Sequence, residues 1–318
     1  MTSIGGYIER SRRPGELGVH SADHFGMVVP DLKIAQSFYQ AFGLDVREEG
    51  NTLGLYTFGN GHRWAVLSEG PTKRLGHVTF GVFEDDLERF KRHIERLGHR
   101  LVDPPRGITS NGIWLPDHDG LLIELRVAEK TSTDSKPPSD NASSPAGTRG
   151  ARGRLGTPMV RPRRLAHVLN FTTDVEGGIN FYSRVLGLRL SDRVGDGISF
   201  FHAIHGSDHH VIALAKSNAP GLHHCSWDVG SIDDIGRGAM QMADRGFDRG
   251  WGVGRHVIGS NYFHYVRDPW GSHCEYSSDV DYIPANCDWN GGDHPPEDSF
   301  YVWGPNPPPD FIHNYEGE

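Results

Sequence analysis

The stretch DHFGMVVPDLKIAQSFYQAFGLDV, residues 23–46, returns later in the chain as AHVLNFTTDVEGGINFYSRVLGLRL, residues 166–190. In each, a histidine opens a short apolar run, a Phe-Tyr pair follows 14 residues after it, and a glycine (Gly43, Gly187) comes near the end. The run has the alternation of a strand. IAQSFYQAF and GGINFYSRVL then space their apolar residues at i and i+3/i+4, as one face of a helix, with glycine as the stop signal. The chain is therefore read as a duplication, and a repeat constrains a fold more than any single element does.

The copies stay in step. LGHVTFGV (75–82) stands against LHHCSWDV (222–229), and DHDGLLIEL (117–125) against DPWGSHCEY (268–276). The His–His–Glu intervals are 53 and 47 residues in the first copy and 57 and 51 in the second, as loop insertions between shared strands would produce. A second helix follows in each, EDDLERFKRHIERLG (84–98) and IDDIGRGAMQMADRG (232–246). Each copy reads as two β-α-β-β-β units. The expected fold class is α+β, with homologous domains over residues 20–128 and 165–290. Between them, residues 129–164 are rich in Ser, Pro, Gly and basic side chains. Such a segment cannot offset its ordering entropy and reads as a linker, disordered or laid on the surface. A Pro-rich tail spans residues 291–318, and its place, over a site or on a subunit face, is open.

Composition excludes several classes. The 318-residue chain carries a formal charge of −9 and no long basic block, which argues against nucleic acid as a partner. No run approaches the ~18 apolar residues of a membrane span. MTSIGGYIERSRRPGELG lacks the apolar core of a signal peptide, so a cytoplasmic location is expected. Cys225, Cys274 and Cys287 form no CxxC, which disfavours a disulfide framework or a zinc ribbon. Twelve of the 19 histidines lie after residue 160, so the second copy is where chemistry is expected.

Two adjacent-histidine pairs stand out in SDHHVIALAKSNAPGLHHCSWDV, residues 207–229. Neighbours on a strand point to opposite faces, so one member of each pair faces a given site. Periodicity does not say which. The repeat decides the second pair: GHVTF has a single histidine, His77, at the position of His224. By the same pairing His24 answers to His167, and Glu124 to Glu275. Two histidines and a carboxylate at matched positions make a set that caps one face of Fe(II) or Mn(II) and leaves positions open for substrate and O2. The alternative is a hydrogen-bonded His/Glu cluster without metal. Cys225 and Cys274 each adjoin a proposed ligand, so both are expected to face away from it.

The paired modules, their intervals and GRHVIGSNYFHYVRDPWGSHCEY (254–276) resemble the type I extradiol ring-cleaving dioxygenases of the vicinal oxygen chelate superfamily, over about residues 17–315 including the tail SFYVWGPNPPPDFIHN. The resemblance implies a homo-oligomeric Fe(II) enzyme, occasionally Mn(II). It would take a catecholic substrate and O2, open the ring beside the two hydroxyls and give a muconic semialdehyde-type product. It puts the metal ligands on His167, His224 and Glu275, the acid/base on His210, and substrate-side roles on His256 and Tyr265. Asn261, Tyr262, Trp227 and Phe201 are candidate substrate contacts, with Phe200 and Trp251 beside them; for the last four, core packing is an equal alternative. His209 and His223 are expected to point elsewhere. The first copy keeps His24, His77 and Glu124, but has Arg63 in place of His210, Trp114 in place of Tyr265, and PPRG (104–107) in place of VGRH. Its triad is read as degenerate. Two other functions fit the same fold: a metal-dependent isomerase or epimerase that needs no O2, and a binding module that lacks the triad.

Overall fold

The computed structural model describes residues 11–140, 144–151 and 153–317. In the first half, β1 (Ser21–Val29) leads into α1 (Leu32–Phe42) and the strands β2 (Asp45–Glu49), β3 (Thr52–Tyr56) and β4 (Arg63–Glu69). β5 (Arg74–Val82) then leads into α2 (Leu87–Arg96), β6 (Ile113–Pro116) and β7 (Leu122–Val127). The sheet runs β2-β3-β4-β1-β5-β7-β6. Asp31 caps α1 by accepting from the Lys33 and Ile34 amides, and Gly43 ends it at φ 101°, a left-handed conformation that favours glycine.

The second half repeats this plan. β8 (Arg164–Thr172), α3 (Val175–Arg184), β9 (Arg189–Val194), β10 (Ile198–His202), the short β11 (Ser207–Asp208) and β12 (Ile212–Lys216) form one unit. β13 (Gly221–Asp228), α4 (Ile232–Ala243), β14 (Gly250–His256), β15 (Tyr262–Arg267) and β16 (His273–Ser278) form the other. After them come β17 (Tyr282–Ile283), which pairs with β11, and β18 (Tyr301–Trp303). The main sheet runs β18-β14-β15-β16-β13-β8-β12-β10-β9. This is the α+β vicinal oxygen chelate architecture in two copies.

The sheet register explains why the repeat positions matter. At the centre of the second sheet, Ser226 on β13 lies opposite His167 on β8 and Glu275 on β16. In the first sheet Thr79 on β5 lies opposite His24 on β1 and Glu124 on β7. Both central pairs carry a bulge at the same place: His223 is the extra residue between Leu222 and His224, and Gly76 the one between Leu75 and His77.

One apolar core spans both halves. Phe42 of α1 stacks on Tyr276 of β16 at 3.9 Å, and the Tyr276 hydroxyl donates to the Phe42 carbonyl at 2.8 Å. Segment 129–164 is pinned near both of its described ends. Thr131 bonds Ser21 and Ala22, and the Val160 amide donates to Gln241. Among the described residues no helix is long and apolar enough to cross a membrane.

Candidate metal centre

Three buried strands bring three donor atoms together. His167 Nε2 lies 3.1 Å from His224 Nε2 and 3.3 Å from Glu275 Oε2, and His224 Nε2 lies 3.6 Å from the same oxygen. Among the described residues, this is the group of His, Cys, Asp or Glu side chains close enough to share an ion. Asn261 donates to Glu275 Oε1 at 3.2 Å and to Ser277 at 3.0 Å, which turns the carboxylate. Glu275 is 0 % exposed, and its Oε2 has no hydrogen-bond partner. An unpaired carboxylate oxygen inside a protein is costly. A divalent cation held between it and the two imidazoles removes that cost, so the donor set fits one.

The centre opens into a cavity of about 230 Å³, lined among others by Phe200, His210, His256, Ile258, Tyr265, Phe300 and Phe311. The His210 ring packs 4.0 Å from that of His167, with Phe200 at 5.1 Å. Burial, with His167, His209 and His256 nearby, pushes the His210 imidazole well below its usual pKa, so it is neutral. His256 Nδ1 donates to the Phe300 carbonyl at 2.9 Å, which leaves Nε2 to accept the Tyr265 hydroxyl at 2.9 Å. Burial, with Glu275 close, pushes the Tyr265 phenol well above its usual range, so it keeps that proton. The tail thus closes the cavity and takes part in its hydrogen bonding. Trp251 does not line the cavity: it is buried in an aromatic cluster with Phe263, Tyr265 and Phe311, 5.6 Å from Tyr265, its indole N–H donating to the Pro305 carbonyl.

Strand parity corrects three of the candidate contacts. Trp227 sits on the opposite face of β13 from Ser226. It is fully buried in the apolar core, its indole N–H on Cys225 Sγ. Cys225 and Cys274 lie there too, 3.6 Å apart and facing away from His224 and Glu275. Phe201 turns into the core beside Tyr182 while its neighbour Phe200 faces the cavity. Tyr262, opposite in parity to Tyr265, lies under the Arg255 guanidinium at 4.7 Å. Asn261 does line the cavity, but its amide serves Glu275. Trp227→Ala is accordingly expected to cost about 3–5 kcal/mol of stability. Its signature is a lowered Tm with an unchanged KM; a raised KM at native Tm would contradict the core placement.

The adjacent-histidine pairs also depart from simple alternation. The bulge turns His223 so that it touches both the cavity and its neighbour, since a bulge residue escapes the two-residue period. His209 and His210 precede β12 rather than lying on it. His209 does point away from the cavity, toward Asp192 at 2.7 Å. Burial works to raise the Asp192 pKa, but hydrogen bonds from His209, the Gly292 amide and His294 outweigh it and hold the carboxyl at about 2.

The first half keeps the backbone register without the open donor set. The Thr79 hydroxyl stands between the other two side chains, donating to Glu124 Oε2 at 2.7 Å and lying 3.4 Å from His24 Nε2. Ser110 occupies the other Glu124 oxygen, and Asp23 holds His24 Nδ1 at 2.7 Å. Trp114 faces Glu124 across the strands as Tyr265 faces Glu275. Glu124 is thus satisfied by protein donors where Glu275 is not. His77→Ala is expected to leave metal content at that of the native chain; a fall by half on elemental analysis would restore the first triad as a metal site.

The model of the Glyoxalase/Bleomycin resistance protein/Dioxygenase superfamily matches residues 21–125 and again 164–276. Metapyrocatechase 2 of Cupriavidus necator is 47% identical over 311 residues, 97% of each chain. Among solved structures, the Mn(II)-bound glyoxalase from Novosphingobium aromaticivorans superposes with a TM-score of 0.72 at 24% identity, over 95% of this chain and 100% of that one. The 2,2',3-trihydroxybiphenyl 1,2-dioxygenase from Sphingomonas wittichii strain RW1 does so at 0.71 and 20%, over 91% and 100%. The structural likenesses bear on the fold alone; the full-length sequence match and the doubled family match bear on descent. The chain therefore belongs to the glyoxalase/bleomycin resistance protein/dioxygenase superfamily, and within it to the extradiol dioxygenases.

Proposed function

We propose that the chain cleaves a single-ring catechol beside its hydroxyls with O2, at Fe(II) or Mn(II) held by His167, His224 and Glu275. The observation that carries this is the unpaired, fully buried Glu275 Oε2 facing two imidazole Nε2 atoms. When bound, such an ion supplies Lewis acidity toward a catechol hydroxyl and a path for electrons between ring and O2. The protein's own groups do the rest. Phe200, Ile258, Phe300 and Phe311 exclude water around the ring. His210, neutral in its apolar niche, takes a proton from the bound reactants and returns it to oxygen as the ring opens. His256, its Nε2 3.8 Å from Glu275 Oε1, and Tyr265 position the second substrate oxygen.

The full chain, loaded anaerobically with Fe(II) and mixed with catechol and O2, is expected to form a yellow product with one O2 consumed per ring. A metal-dependent isomerase of the same fold would consume none. A cavity of about 230 Å³ lies at the small end of ligand sites. Catechol and methylcatechols are thus expected to exceed 2,3-dihydroxybiphenyl in kcat/KM by about tenfold or more. Absence of O2 uptake with every catechol in such a panel would sink the reading.

A further inference from the structure

Both adjacent-histidine pairs are built alike. His223 Nδ1 lies 2.7 Å from His224 Nδ1, and His223 Nε2 lies 2.9 Å from the Phe311 carbonyl. His209 Nδ1 lies 3.1 Å from His210 Nδ1, and His209 Nε2 lies 2.7 Å from Asp192 Oδ2. In each pair the rings meet through Nδ1, and the first ring has an outer partner on Nε2 that can only accept.

Those partners fix the protons. A backbone carbonyl or a carboxylate carries no hydrogen, so His223 and His209 each bear theirs on Nε2. A neutral imidazole has one N–H, so Nδ1 of each is a lone pair. His223 is 4 % exposed and packed among Phe171, His273 and Phe311, and His209 is 0 % exposed; between the two Nδ1 atoms of each pair there is room for one proton. The facing Nδ1 of His224 and of His210 then must donate. Their remaining nitrogens, Nε2, are left bare, His224's toward Glu275 and His210's free of that constraint. His167 has no such support, since its Nδ1 is buried without a partner.

We propose that His223 and His209 are positioning residues. Each holds the second member of its pair as the Nδ1–H tautomer, His223 for metal retention at His224 and His209 for proton transfer at His210. The metal and proton-transfer roles rest on the function proposed above; the tautomers rest on hydrogen-bond chemistry alone. The pairs thereby make two separate demands. Loss of the His223 support weakens the metal, and loss of the His209 support slows turnover without touching the metal. The tail enters through Phe311, whose carbonyl anchors the His223 proton.

The test uses the full Fe(II)-loaded chain challenged with a chelator, in four variants. Leucine cannot accept a hydrogen bond, whereas glutamine can accept from the inner histidine and donate outward as the imidazole does. His223→Leu is expected to lose retention by about 10–100-fold, the range for a lost partner of a metal-bound histidine. His223→Gln is expected to recover most of it. His209→Leu is expected to retain metal as the native chain does, with kcat lowered about tenfold or more at unchanged KM, and His209→Gln to recover kcat. Equal retention in His223→Leu and His223→Gln, or metal loss in His209→Leu matching that in His223→Leu, overturns the proposal. Should the leucine variants fail to fold, ¹⁵N-histidine spectra of the native Zn(II)-loaded chain decide it. Nε2–H on His209 and His223 with Nδ1–H on His210 and His224 supports it; Nδ1–H on His209 or His223 overturns it. A chain that binds metal and shows these tautomers but leaves catechol intact would refute the reaction and not the relay.

Discussion

Glu275→Gln is expected to abolish metal retention while leaving the metal-free chain no less stable than the native one. The two effects have opposite physical origins. Without metal, Glu275 places a carboxylate at 0 % exposure with one oxygen unpartnered, and only Asn261 donates to the other. An amide of the same shape removes the buried charge, and Asn261 keeps a carbonyl to donate to. With metal, the carboxylate is the charged member of the donor set, and a neutral oxygen replaces it poorly. A ligand present at a hundred times its Kd stabilises a fold by about 2.7 kcal/mol. The native chain should therefore gain several degrees in Tm on anaerobic Fe(II) addition at pH 8, and Glu275→Gln should gain nothing. If instead the three side chains were a hydrogen-bonded cluster of purely structural use, Glu275→Gln would lower the metal-free Tm, and Fe(II) would move neither protein.

Much of this is legible in the sequence, for a definable reason. The duplication shows in side-chain pattern: the His-to-Tyr spacing, the helix faces and the Asp-to-Glu turn recur because both halves bury the same faces. The grouping of His167, His224 and Glu275 follows from positions shared between the copies, and the structure brings those three side chains within 3.6 Å of one another. What was not legible depends on parity and on small polar atoms. A one-residue bulge at His223 has no local signature, since LHHCSW alternates as well as any strand, so a residue expected to point elsewhere contacts His224. Gly76, its counterpart in the first copy, has no side chain to reveal the bulge. Phe200 and Phe201 are chemically equal, and only the register tells which one faces the cavity. The first triad looks complete in sequence because nothing in a spacing reports that the Thr79 hydroxyl stands between His24 and Glu124. The tail's role was invisible because it acts through carbonyls, of Phe300 and Phe311, which any sequence would supply.

His210→Phe is expected to lower kcat by about 10²–10⁴-fold, the range for loss of a positioned general acid/base, with metal content and KM for catechol close to native. Phenylalanine is chosen because the ring has a packing duty as well. It lies 4.0 Å from the His167 ring and 5.1 Å from that of Phe200. An aromatic replacement preserves those contacts and removes both nitrogens, so a fall in rate at native Tm isolates the proton. His210 is outside the ligand set, which is why the metal should remain. A rate loss of 10²–10⁴ corresponds to about 2.7–5.5 kcal/mol in the barrier, too large for a side chain that merely fills space beside His167. The same argument separates His210 from its neighbour. His209→Leu removes only the support behind the working ring and should cost less than removal of the ring itself. Should His210→Phe turn over within about threefold of the native rate, proton transfer runs through another group, and His256, an imidazole on the cavity wall outside the donor set with its Nε2 3.8 Å from Glu275 Oε1, is the one to test next.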